Sequence, residues 1–194
     1  MVEYLLIYKI FAFLIIILSV VLSFWVYLAN RKDRVNQLFF LMGISVAFWI
    51  TFYFLTITSR DNPSALFWGK LAYAAVSVFF APFYFFFVYL LGLNERLRHL
   101  SKFILIVITA LFLVSLSTNW IIRDVAFEQG RTNLILARGS IGFYGVAVFL
   151  SLLVIFLLLY KYPKLAAGER LKIQYFLLGV LIWISMNFIF NMIF

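Results

Sequence analysis

Residues 65–92 read ALFWGKLAYAAVSVFFAPFYFFFVYLLG and contain one charge, Lys70. A bilayer's hydrocarbon core takes about 20 apolar residues as a helix, against roughly ten for a tilted barrel strand. The run is too long and too uniform for strand alternation, so it reads as a transmembrane helix. Composition extends that reading to the whole chain. Of 194 residues, 66% are hydrophobic and 12% charged, with mean hydropathy +1.11. A soluble domain carries roughly 25% charged residues. So little polar surface cannot cover a water-soluble core; the excess apolar surface faces lipid.

Five further stretches are long enough to span. The expected set is 4–29, 37–58, 65–91, 103–122, 140–160 and 174–194, making residues 1–194 one all-α, polytopic membrane helix bundle. The first stretch is too long for a signal peptide, no small-residue cleavage site follows it, and NRKDR at 30–34 stops it. Ten of the 16 basic residues fall in the segments after helices one, three and five. The positive-inside rule then predicts cytoplasmic positions for Arg31, Lys32, Arg34, Arg96, Arg98, Lys102, Lys161, Lys164, Arg170 and Lys172, with the N-terminus outside. The net charge of +9 suits topology and anionic headgroups, and nucleic acid is not an expected partner. The longest connection, 119–139, is predicted to lie outside, with DVAFEQ and TNLILA flanking Gly130-Arg131 as a small hairpin.

Chemistry-bearing residues are sparse. The chain has no cysteine, and its only histidine, His99, sits in the basic segment NERLRHLSK, where it reads as a solvated loop residue. Haem between helices needs facing histidines, so no cofactor is expected, and no metal. Glu3, Asp33, Asp61, Glu95, Asp124, Glu128 and Glu169 all lie in loops or at ends, which argues against proton or cation relay. Paired catalytic carboxylates, a Ser/His couple and a phosphate-cradling glycine loop are missing, so the chain is not read as an enzyme.

Four features remain open at this level. Pro82 predicts a kink in helix three over 79–82. Gly139, Gly142 and Gly145 step by three and suggest a groove for a neighbouring backbone, within the chain or at a dimer seam. Asn187 and Asn191 share a face of the last helix and serve as interhelical glue or ligand contacts. Lys70 either snorkels to the headgroups beside Trp68, or lines an outward pocket with Tyr73 and with Trp49 and Tyr53 of helix two.

The stretches NRKDRVNQLFFLMGISVAFW and LFWGKLAYAAVSVFFAPFYFFFVYLLG, with GSIGFYGVAVF and GERLKIQYFLLG later, resemble the seven-transmembrane N-terminal sensory region of bacterial sensor histidine kinases, found also on some diguanylate cyclases. The resemblance rests on Asn36, Phe39 or Phe40, Trp49, Trp68 and Lys70, and it covers nearly the whole chain. It implies an input module in the bacterial inner membrane, a small ligand, a homodimer, and a cytoplasmic kinase or cyclase output. The family pattern closes with a seventh helix, whereas this sequence stops at NMIF after six, so a partial chain or a stand-alone variant is expected. A small transporter or half-transporter is the rival reading, although 1–97 and 98–194 show no internal repeat. A structural membrane subunit without a ligand is the third.

Overall fold

The computed structural model describes residues 2–128 and 131–165, together with 168, 170, 171, 173, 174 and 177. Its elements are α1 (Val2–Ala29), α2 (Arg34–Thr58), α3 (Asn62–Leu90), α4 (Arg98–Ser117), β1 (Ile122–Glu128), β2 (Arg131–Leu136) and α5 (Gly139–Lys161), followed by a 3-10 turn, Tyr162–Lys164. Among the described residues, five helices are long and apolar enough to cross a membrane. The sixth expected span, with Asn187 and Asn191, lies outside the described residues apart from Gln174 and Leu177. The chain divides into two compact units, 1–154 and 155–194.

Polar residues set the helix ends in the first unit. The turn after α1 is knitted by its own side chains: Asn36 Nδ2 donates to Asn30 O (3.3 Å) and Gln37 Nε2 to Arg31 O (2.9 Å). Asp33 then caps α2 by accepting from Val35 N at 2.9 Å. Asp61 caps α3 by accepting from Ser64 N at 2.8 Å, with Pro63 in the first turn. At its other end α3 closes in a Schellman motif: Gly92, at φ 63°, donates to Tyr89 O (3.1 Å), and Leu93 N donates to Val88 O (2.9 Å). The short turn lets α4 fold back on α3. Pro82 does not end α3, which remains one helix through it.

In a bilayer lipid is as apolar as leucine, so helices associate through close packing at small residues. Ala65, Gly69 and Ala72 form a buried small-residue stripe on α3, which at Gly69 receives the hairpin rather than a helix. At Gly43, α2 approaches α1 so closely that a methyl group would overlap Ser23. More than half of the α3 membrane window is buried (56%), against 11% for α1, so α3 is the axis of the first unit. The outer face of α1 keeps Phe13 and Trp25 exposed, to lipid in a membrane.

The fourth helix departs from the hydropathy reading. It runs Arg98–Ser117 rather than over 103–122; Ile121 leads into β1 and Ile122 is its first residue. Thr118 turns the chain, its Oγ1 donating to Val114 O (2.8 Å) and accepting from Trp120 N (3.1 Å). Both isoleucines are buried (1% exposed each). β1 and β2 form the antiparallel hairpin, with Val125 opposite Leu134 and an irregularity between Ile122 and Asp124 that leaves Arg123 as an extra residue. The chain is therefore mostly helical, with one two-stranded exception. An isolated hairpin is marginal, and this one is docked. Ile122 and Leu134 close over Gly69, where an added Cβ would stand 3.2 and 3.1 Å from their methyl groups. Thr132 Oγ1 reaches Ile57 O of α2 at 3.4 Å.

Candidate functional site

The docked hairpin marks one end of the first unit, where the last turns of α2 meet the first turns of α3. Aromatic rings dominate there. Phe52 of α2 stacks on Trp68 of α3 at 6.0 Å and 18°, and Phe67 meets Trp68 edge-on at 5.0 Å. One turn deeper, Tyr73 packs edge-on against Phe143 of α5 at 5.1 Å, and its hydroxyl shares a 2.9 Å hydrogen bond with Tyr144 Oη. Tyr53 lies within electrostatic reach of both tyrosines. Three phenols, one from each of α2, α3 and α5, thus cluster.

The expected residues fall out as follows. Tyr53 and Tyr73 join this cluster. Trp49, half-buried, sits one turn below Tyr53 on α2. The ring that contacts Trp68 is Phe52. Lys70 is half-buried beside the Gly69 seat of the hairpin and makes no hydrogen bond or ion pair with a described residue. Asn187 lies outside the described residues. Phe143 and Tyr144 were not singled out as site residues; their signal was the pair of rings inside GFYG, where the three glycines drew the reading instead.

Those glycines are not equivalent. Gly139 N donates to Trp120 O at 3.0 Å, and a Cβ there would collide with the indole and with that carbonyl. Among the described residues, the nearest atom to such a Cβ at Gly142 is 3.9 Å away, and at Gly145 nothing lies within 4 Å. Gly142 and Gly145 instead line an apolar cavity of about 330 Å³ between α4 and α5, shared with Phe103, Ile104 and Phe149. Among the described residues, only Gly139 of the three meets another backbone closely.

Chemically the cluster offers phenol hydroxyls and aromatic faces. Among the described residues no three His, Cys, Asp or Glu side chains gather as for a metal. His99 stands exposed on the first turn of α4 rather than in a loop.

Comparison with known families matches the N-terminal 7TM region of histidine kinase over residues 11–194. The chain belongs to this family. Curated proteins and solved structures give no match. Membership makes this an integral membrane protein of the 7TM region, a sensory rather than catalytic part, whose surroundings are lipid and whose output partner in the family is cytoplasmic. It also gives meaning to the turns. Asn36 of the 7TM region closes the α1–α2 turn, and in the second unit Arg170 ties its own turn by donating to Leu165 O (2.9 Å) and Pro163 O (2.6 Å).

Proposed function

We propose that this chain is the sensory input module of a histidine kinase in the bacterial inner membrane. Its N-terminus and the hairpin face outward, and the loops richest in Lys and Arg face the cytoplasm. A small ligand is held among Trp49, Tyr53, Lys70 and Tyr73; Asn187, the other expected contact, lies outside the described residues. A cytoplasmic kinase or cyclase domain, in a homodimer, receives the result.

The observation that carries this reading is the phenol cluster beneath the hairpin. Its hydrogen bond joins α3 to α5 at one end of the bundle, with Tyr53 of α2 nearby, so a ligand that competes for those hydroxyls acts on the α3–α5 contact directly. A ligand shifts a conformational balance only by binding one arrangement better than the other. Swinging it from 1:99 to 99:1 takes about 10⁴-fold preference, or about 5.5 kcal/mol. Contacts to three phenol hydroxyls and to the Lys70 ammonium, which has no partner among the described residues, would together supply that difference.

The test is a response-regulator reporter in cells carrying the kinase with this input region. Lys70→Ala and Tyr53→Ala are expected to silence the response at normal membrane levels, while Lys70→Arg keeps part of it, because the guanidinium retains charge but not shape. An unchanged response in both alanine variants overturns the pocket.

A further inference from the structure

The opposite end of α3 carries a second polar concavity. Where α3 gives way to α4, Phe85, Val88 and Tyr89 face Arg98, Ser101, Lys102 and Leu105 across a cleft of about 470 Å³, with Asn94 and Glu95 on its rim. We infer that this cleft binds an anionic phospholipid, the phosphate on Arg98 and Lys102 and an acyl chain along Phe85, Val88 and Leu105.

The spacing builds the site. Arg98, Ser101, Lys102 and Leu105 stand at i, i+3, i+4 and i+7, which puts two cations and then an apolar side chain down one face of α4. On α3, Phe85, Val88 and Tyr89 repeat the order in reverse, greasy below and hydroxyl above. Polar and apolar halves are thereby stacked along the membrane normal, as in a lipid. Arg98 and Lys102 are exposed and make no hydrogen bond or ion pair with a described residue. Glu95, the one carboxylate on the rim, is engaged by Asn94 Nδ2 at 3.3 Å. Ser101 Oγ is taken by Tyr84 Oη at 3.3 Å and closes the floor.

Two further facts set the sign of the headgroup. The first turn of α4 has no acidic residue, and its N-cap, Leu97, makes no side-chain hydrogen bond to it, so no side chain caps the positive end of the helix. Arg96 and His99 add nearby basic groups. A free phosphate satisfies the cations but leaves Phe85, Val88 and Leu105 uncovered. An amphiphile covers both halves.

The test uses the whole chain in phosphatidylcholine vesicles with a trace of chain-spin-labelled phosphatidylglycerol, reading the motionally restricted fraction. The native protein is expected to select phosphatidylglycerol over labelled phosphatidylcholine. Arg98→Gln with Lys102→Gln is expected to cut that preference by up to roughly thirty-fold, about five-fold for each cation at an anionic surface. Arg31→Gln with Lys32→Gln, an equal charge loss at the α1–α2 turn, is expected to leave most of it. Leu105→Trp, which fills the apolar half without changing charge, is expected to lower it as well. Equal losses in the two double variants mean general surface electrostatics and overturn the site. Displacement of the label by excess inorganic phosphate, or indifference to Leu105→Trp, overturns the lipid as its occupant.

Discussion

Replacing Gly139, Gly142 and Gly145 one at a time with alanine separates a packing seam from a single tight contact. At Gly139 the added methyl meets the Trp120 carbonyl oxygen at 2.5 Å and the indole ring as well. Backbone cannot yield as a side-chain tip does, so the usual cost of overpacking applies, about 1–3 kcal/mol. The shift also strains the 3.0 Å bond from Gly139 N to Trp120 O, worth about 1 kcal/mol. Gly139 is the first residue of α5 and gains little from better helix propensity. Gly139→Ala is therefore expected to destabilise by about 2–3 kcal/mol. Gly142→Ala and Gly145→Ala meet nothing closer than 3.9 Å among the described residues, and each gains up to about 1 kcal/mol of helix propensity. Unfolding in mixed micelles, followed by tryptophan fluorescence, reads the order. Equal destabilisation of all three would refute the reasoning and restore the seam.

Tyr73→Phe and Tyr144→Phe each remove the same 2.9 Å bond, so each is expected to cost about 1 kcal/mol and the pair together little more; additive losses in a double-mutant cycle would show that the hydroxyls do not interact. Single cysteines at Lys32, Arg98 and Lys164 are expected to resist an impermeant thiol reagent in intact cells and to react after permeabilisation. Labelling of all three in intact cells would invert the proposed orientation.

The sequence made the helices plain because length and hydropathy are local properties, and five of the expected six spans have counterparts among the described residues. Asp33 and Asp61 read as loop or end residues, and the structure makes each the cap of the helix that follows it. The hairpin was legible because TNLILA and DVAFEQ bracket a glycine. Hydropathy went astray at Ile121 and Ile122, since it records that a residue is apolar but not whether lipid or a docked strand receives it. The glycine triplet was only partly legible for the same reason: spacing shows which residues are near one another along a helix, never what stands opposite, and among the described residues only Gly139 has a backbone close by. Tyr144 was hidden because its partner lies 71 residues earlier in the chain. Of the candidate site, Tyr53 and Tyr73 were within reach of the sequence, and their third member was not.

Tyr73 and Tyr84 are eleven positions apart on α3, which brings them within about 20° of the same line after three turns, about 16 Å along the axis. Yet their hydroxyls bond to different helices, Tyr73 to α5 and Tyr84 to Ser101 of α4. Most other hydroxyls on these helices bond back to a carbonyl of their own helix, as Ser45, Thr56, Ser77 and Ser115 do. Polar forces thus hold α3 to its later neighbours at two points on one edge, like a camshaft with two lobes in line. Rolling α3 about its own axis loads both lobes in the same sense, so α4 and α5 are pushed in step. Sliding it lengthwise pulls on both bonds together and against the packing between them, where Phe80 meets Phe143 of α5 at 5.9 Å.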